Sequence, residues 1–121
     1  MDTTSKILEG SALVGSGSCL PAQSLTNEQI SHRVETSDSW IKSRTGIGAR
    51  RIIGDKESLT TLSSYAANKA IEMAGWDPKS IDLIVLATST PDDLFGSAPQ
   101  VQAKLGAENA VAFDLTAACS G

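Results

Sequence analysis

The sequence is poor in the residues from which specialised scaffolds are built. Its two cysteines, Cys19 and Cys119, are too few for a disulfide framework. With His32 as the single histidine there are three soft or nitrogen ligands in all, at no zinc-like spacing, so no metal site is expected. Only 4 prolines and 10 glycines, beside 40% hydrophobic residues, exclude collagen, mucin-like stalks and disordered tails. No apolar run approaches the roughly 20 residues needed to cross a bilayer, so no membrane association is expected. The opening Met1-Asp2-Thr3-Thr4-Ser5-Lys6 has no cationic region followed by a long apolar one, which argues against a secretory signal. Basic residues are outnumbered, giving a net charge of -4, and sequence-independent nucleic-acid binding rests on many Lys and Arg contacts to phosphate. Internal repeats and low-complexity segments are absent as well. A reducing, cytoplasmic, soluble setting is the expectation that remains.

What is present suits a folded domain. The 121 residues include 20% charged ones, and the apolar fraction is enough for a core. Ile7 to Val14 reads as a strand broken by Gly10, followed by the turn Gly15-Ser16-Gly17-Ser18. Thr26 and Gln29 form a capping box that opens a helix, with Leu25 and Ile30 placed for a hydrophobic staple. A second short helix starts at Ser37 or Asp38, carries Trp40 and Ile41, and stops at Gly46. Arg51 to Ile53 reads as extended. The best helical pattern runs from Thr60 to Ala74, with Gly75 as its stop. Asp77-Pro78 is a cap followed by proline in the first turn. Leu83 to Ala87 and Val111 to Leu115 are continuous apolar runs, the pattern of strands buried on both faces, and a helix from Ser97 to Leu105 lies between them. Strands alternating with helices predict an α/β protein with a mainly parallel sheet. Because the last residues follow a strand directly, where such sheets place their chemistry, the chain is expected to be part of something longer.

Three features could carry chemistry. Gly15-Ser16-Gly17 lacks the third glycine of a dinucleotide-binding loop, since position 20 is Leu, and reads as a glycine-rich turn. Cys119, between Ala118 and Ser120-Gly121, would stand on a tight turn after a buried strand. Small neighbours there admit a substrate carbonyl, and a following helix would favour the thiolate; a buried structural cysteine is the alternative. Cys19 lacks that context and reads as structural. Ser39 to Gly54 holds Lys42, Arg44, Arg50 and Arg51 and no acid, contributing +4 and leaving -8 for the rest. With Trp40 at its start this stripe suits an anionic partner with an aromatic ring, such as a nucleotide; a solvated helix face with Trp40 in the core is the alternative. His32 reads as an exposed helical side chain. Asp92-Asp93 reads as a turn pair without a catalytic role.

At Thr36-Ser37-Asp38-Ser39-Trp40-Ile41, Arg44-Thr45-Gly46-Ile47 and Ala112-Phe113-Asp114-Leu115 leading to Ala118-Cys119-Ser120-Gly121, the sequence resembles beta-ketoacyl-[acyl-carrier-protein] synthase III. The likeness runs from about Ala12 to Gly121 with near-identical spacing. It implies a thiolase-like mixed sheet layered with helices, incomplete in this chain, with residues 1–121 as the N-terminal part of the first half. The implied reaction condenses acetyl-CoA with malonyl-acyl-carrier protein, starting type II fatty-acid synthesis, usually in a homodimer. Cys119 matches the nucleophile that takes the acyl group as a thioester. Trp40 and Arg44 match residues that hold the CoA adenine and phosphates, with Thr36 beside them. No cofactor is implied, the CoA thioester being substrate.

The resemblance also implies a His and an Asn far downstream, which neither His32 nor Asn109 matches. The chain alone is therefore expected to be inactive, and a sheet ending on an unpaired strand argues against independent folding. The run Phe95 to Gln102 is a residue shorter than the family pattern, with Gly96 where proline is common. The family's aromatic at Phe95 crosses the dimer interface to bound the partner's acyl pocket, so the departure leaves primer size open. Two rivals stand beside this reading: a synthase-III-like acyltransferase of secondary metabolism with another primer, and a non-catalytic α/β fragment.

Overall fold

Two small sheets, each of two strands, organise the described residues. The computed structural model describes residues 10–121. In chain order the elements are β1 (Gln23–Thr26), α1 (Asn27–Ser31), α2 (Asp38–Thr45), β2 (Ala49–Ile52), α3 (Leu59–Ala74), β3 (Leu83–Ala87), α4 (Ala98–Leu105) and β4 (Val111–Leu115). Short 3-10 turns lie at Pro78–Ser80 and Ala118–Ser120.

The first sheet pairs β1 and β2 antiparallel, with Gln23 opposite Ile52 and Thr26 opposite Ala49. The second pairs β3 and β4 parallel, Leu83 beside Val111 and Ala87 beside Leu115, with α4 as the crossover. The α/β class is therefore as expected, but among the described residues one sheet is antiparallel and one parallel, where a mainly parallel sheet was predicted.

The helix ends follow their local chemistry. Thr26 Oγ1 accepts from the Gln29 amide at 3.2 Å, while Gln29 Oε1 accepts from the Thr26 amide at 2.9 Å, closing the capping box. Ser37 and Ser58 cap α2 and α3, and Gly46, Gly75 and Gly106 close α2, α3 and α4 in the left-handed region. Asp77 accepts from the Lys79 amide ahead of Pro78. His32 is the C-cap of α1 and exposed, just outside the helix in which it was expected.

Four expectations are corrected. The strand proposed for Ile7 to Val14 lies partly outside the described residues, and Gly10 to Val14 form no strand. The segment that follows does not turn freely but lies against α3. A Cβ on Gly17 would stand 2.1 Å from the Ala66 carbonyl oxygen, and one on Gly15 would stand 2.2 Å from that of Ala70. These glycines let two backbones touch, which is what the Gly15-Ser16-Gly17 pattern serves here. Gln23–Thr26, not anticipated as a strand, is held extended by its pairing with β2.

The fourth correction concerns β3 and β4. Both alternate between exposed and half-buried residues instead of being covered on both faces. Ile84 and Leu86 join the cluster of Val101, Leu105 and Ala107 beneath α3 and α4, with Ala67, Ile71 and Ile81 around it. Leu83, Val85, Val111 and Phe113 point the other way and remain exposed. Among the described residues, the helices cover one face of this pair and nothing covers the other.

Candidate active site

The carboxyl ends of β3 and β4 carry the first candidate. Thr88 follows β3, and its amide donates to the Leu115 carbonyl at 3.1 Å. In return Thr116 Oγ1 donates to the Thr88 carbonyl at 3.2 Å, tying the two strand exits together. The chain then turns sharply. Ala118 has φ +47, the one non-glycine residue with positive φ among those described. That conformation costs of order 1 kcal/mol for a residue with a Cβ, and such strain clusters at functional positions. Cys119 sits on this turn and is exposed among the described residues. Cys19 is half-buried beside the segment that crosses α3.

A loop leaving β3 forms the rim beside that turn. Leu94 and Phe95 project from it, 91% and 90% exposed. The loop is nonetheless tightly held. Asp92 accepts from the Leu59 and Thr60 amides at 3.0 and 2.7 Å, capping α3 from outside that helix. The Asp92 amide donates to Ser97 Oγ at 2.8 Å, and Asp93 accepts from the Phe95 amide at 2.8 Å. Burial pushes the Asp92 carboxyl upward, but the hydrogen bonds from Thr60 and Leu59 outweigh it and leave it below its ordinary value. The Asp92-Asp93 pair is thus an anchor for the Phe95 loop, a role its turn composition alone did not reveal.

The second candidate is α2. Ser37 accepts from the Trp40 amide, Asp38 stands in the first turn, and Lys42 and Arg44 lie in the last, each where the helix dipole favours its charge. The Arg44 guanidinium carbon lies 5.7 Å from the Trp40 ring centroid, a cation–π pair on adjacent turns. Trp40 is 57% exposed, so it is not a core residue. A hollow beside it is lined by Glu35, Thr36, Ser37 and Trp40. Thr36 Oγ1 is buried there without a hydrogen-bond partner, a condition that costs about 1–3 kcal/mol unless a donor or acceptor is supplied.

The other cations of the stripe are committed elsewhere. Lys42 pairs with Asp38 at 2.9 Å, Arg50 donates to Asn27 Oδ1 at 2.9 Å, and Arg51 donates to the carbonyls of Pro21 and Ala22 at 3.2 and 3.0 Å. Hydrogen bonds from Lys42 and then Asn27 hold the Asp38 carboxyl below its usual range. Arg44 is therefore the stripe's cation that joins Trp40. The structure places Trp40 and Arg44 on α2 with Thr36 just before its cap, while Cys119 follows β4 and Phe95 lies in the separate loop that follows β3.

Sequence reasoning missed Asn27. It is fully buried, and its side-chain amide donates to Asp38 at 2.9 Å and to the Ile47 carbonyl at 2.7 Å while its oxygen accepts from Arg50. Its backbone amide reaches the Gly48 carbonyl at 3.2 Å. One residue thereby fixes α2 to the β1–β2 sheet. Nothing in the local pattern distinguishes it from an ordinary first-turn asparagine. Among the described residues, no group of three or more His, Cys, Asp and Glu could hold a metal ion, and no helix is long and apolar enough to cross a membrane.

The arrangement of these elements recurs in solved structures. The fold is the α/β, thiolase-like one of solved condensing-enzyme structures. The 3-oxoacyl-[acyl-carrier-protein] synthase III of Aquifex aeolicus VF5 matches with a TM-score of 0.84 and 45% identity, over 93% of this chain and 36% of that one. The priming beta-ketosynthase from the R1128 polyketide biosynthetic pathway matches with a TM-score of 0.78 and 35% identity, over 87% of this chain and 32% of that one. In sequence, the chain is 67% identical over 121 residues to a beta-ketoacyl-[acyl-carrier-protein] synthase III of Prochlorococcus marinus (strain MIT 9313), covering 100% of this chain and 36% of the relative. No family model matches. The chain is thus similar to the N-terminal part of beta-ketoacyl-[acyl-carrier-protein] synthase III proteins, and it spans about 36% of the length of the relative that it matches.

Proposed function

We propose that the chain is the N-terminal part of the first thiolase-like half of a condensing acyltransferase that starts type II fatty-acid synthesis. In the first step the Cys119 thiolate attacks the carbonyl of acetyl-CoA, the thioester bond to CoA breaks, and acetyl-Cys119 forms as CoA leaves as its thiolate, which takes up a proton from solvent. Exchange of one thioester for another costs little free energy, so orientation and thiolate formation are the protein's task. Loss of CO2 from malonyl-acyl-carrier protein then supplies the carbanion that displaces Cys119 and gives acetoacetyl-acyl-carrier protein. That second step calls for the downstream His and Asn of the family.

The observation that carries the reading is Cys119 exposed on a turn where Ala118 has φ +47, at the carboxyl ends of β3 and β4. The pairing of Trp40 with Arg44 beside the unpartnered Thr36 hydroxyl supports binding of the CoA nucleotide at α2. Phe95, projecting from an anchored loop, suits an aromatic that bounds the acyl pocket across a homodimer. The substrates would be an acyl-CoA and an acyl carrier protein, with no resident cofactor, in the cytoplasm.

The likeness to a priming enzyme of a polyketide pathway favours one alternative, a synthase that loads a primer other than acetyl. The test is the intact mass of the full-length synthase containing this segment after brief exposure to acetyl-CoA, beside a Cys119→Ser control. One acetyl group, lost in the control, is the expected result. Acylation by longer acyl-CoAs alone would favour the alternative, and no acylation from any donor would overturn the role of Cys119.

A further inference from the structure

Asp114 interrupts the otherwise apolar strand β4, and the fold gives it a specific task. It lies on the face of β4 that points toward the helices. Its carboxylate accepts from the Ser97 amide at 2.9 Å and from the Ala98 amide at 2.6 Å. Ser97 and Ala98 are fully buried, and Ser97 makes no side-chain cap of its own helix. Asp114 replaces it, satisfying the first amides of α4 from another strand. Pro99 needs no partner, having no N–H, and the Gln100 amide reaches the Ser97 carbonyl at 3.1 Å.

The Ser97 hydroxyl is thereby free to close the loop by accepting from Asp92. Gly96 completes the arrangement. Its φ is +94, which proline cannot adopt, and a Cβ there would stand 3.1 Å from the Asp114 carboxyl carbon. Glycine at this position is therefore the residue that lets this carboxylate approach the loop.

One side chain thus joins the base of the Leu94–Phe95 loop to the strand that runs directly into the Cys119 turn. We propose that Asp114 is a positioning residue: it fixes the direction in which Leu94 and Phe95 project from the sheet end bearing Cys119, and so sets primer-length preference. This rests on the function proposed above. In a symmetric dimer, the direction of Phe95 decides how far the aromatic enters the partner's acyl pocket. The hydrogen bonds of the Asp114 carboxylate go to the Ser97 and Ala98 amides, so it acts through the loop.

The experiment uses the full-length synthase and compares kcat/KM for acetyl-CoA and for octanoyl-CoA in wild type, Asp114→Ala, Asp114→Asn and Gly96→Ala. Alkylation of Cys119 by iodoacetamide is followed in parallel. Removal of the carboxylate is expected to shift the octanoyl-to-acetyl ratio by about tenfold, the scale on which a pocket discriminates small differences in chain size. Cys119 alkylation should stay within about twofold of wild type. Asp114→Asn retains one acceptor and should shift the ratio less, and Gly96→Ala, which crowds the carboxylate, should shift it in a variant that keeps every hydrogen-bonding group. If Asp114→Ala fails to fold, the other two variants decide. Equal loss on both substrates, or an unchanged ratio in folded variants, would overturn the inference. Failure of the wild type to accept any acyl-CoA would instead overturn the proposed function.

Discussion

Replacement of Asn27 by alanine should loosen α2 without touching Cys119. Asn27 makes three side-chain hydrogen bonds from a fully buried position, to Asp38, the Ile47 carbonyl and Arg50. At about 1 kcal/mol net for each, their loss is worth about 3 kcal/mol, and the partners left behind include two charged groups. Urea unfolding of the full-length synthase, followed by tryptophan fluorescence, should show a midpoint lowered in proportion. On the function proposed above, KM for acetyl-CoA should rise about tenfold, because Trp40 and Arg44, proposed to hold the CoA nucleotide, ride on the helix that Asn27 anchors. The rate at which iodoacetamide alkylates Cys119 should not change, since the cysteine stands on the other sheet. A loss of stability below about 0.5 kcal/mol would refute the view of Asn27 as the link between α2 and the β1–β2 sheet.

Three further outcomes follow from the same geometry. Gly17→Ala should lower the thermal midpoint by an amount equivalent to about 1–3 kcal/mol, the usual cost of overpacking, because the added carbon would stand 2.1 Å from the Ala66 carbonyl oxygen; an unchanged midpoint would show that this segment does not lie on α3. Trp40→Ala should raise KM for acetyl-CoA with little effect on Cys119 alkylation, and steady-state kinetics beside the alkylation rate will separate the two. Acid should weaken the Asp92 anchor. Its folded value lies below the ordinary 3.8, so its contribution is complete above that value and is lost as pH falls through the lowered one. Unfolding midpoints measured between pH 6 and pH 3 should therefore fall less steeply in Asp92→Asn, and an identical slope would exclude Asp92 as a source of acid sensitivity.

The helix limits were legible because caps are local. Thr26 with Gln29, Ser37 with Gly46, and Asp77 with Pro78 act within a few residues, so their spacing is written in the chain. The cysteine turn was legible for a similar reason: the apolar run ends at Leu115, and the small residues that follow permit a sharp turn. The apolar runs of β3 and β4 were read as covered on both faces because such patterns record the environment for which the residues are suited. The described residues supply only one covering layer, and Val85 and Phe113 lie exposed on the other face.

Long-range polar contacts were not legible. Asn27, Asp92 and Asp114 each satisfy amides, carbonyls or charges on elements distant in sequence, and no local period marks such a partner. Asp114 left one clue, a carboxylate inside an apolar strand, but its purpose depends on where α4 begins in space. The departure at Gly96 was visible as a substitution, while its reason, a positive φ against the Asp114 carboxylate, exists only in the folded chain.

By itself, then, the sequence determined the α/β class, through the alternation of its elements, and most helix ends and the cysteine after its strand, which depend on neighbours within a few residues. Only the tertiary structure decided which cations of the basic stripe are already engaged, which glycines admit a second backbone, and which carboxylate holds the Phe95 loop to the strand of Cys119. Those choices depend on hydrogen bonds and close contacts between segments that the chain's own periodicity does not relate.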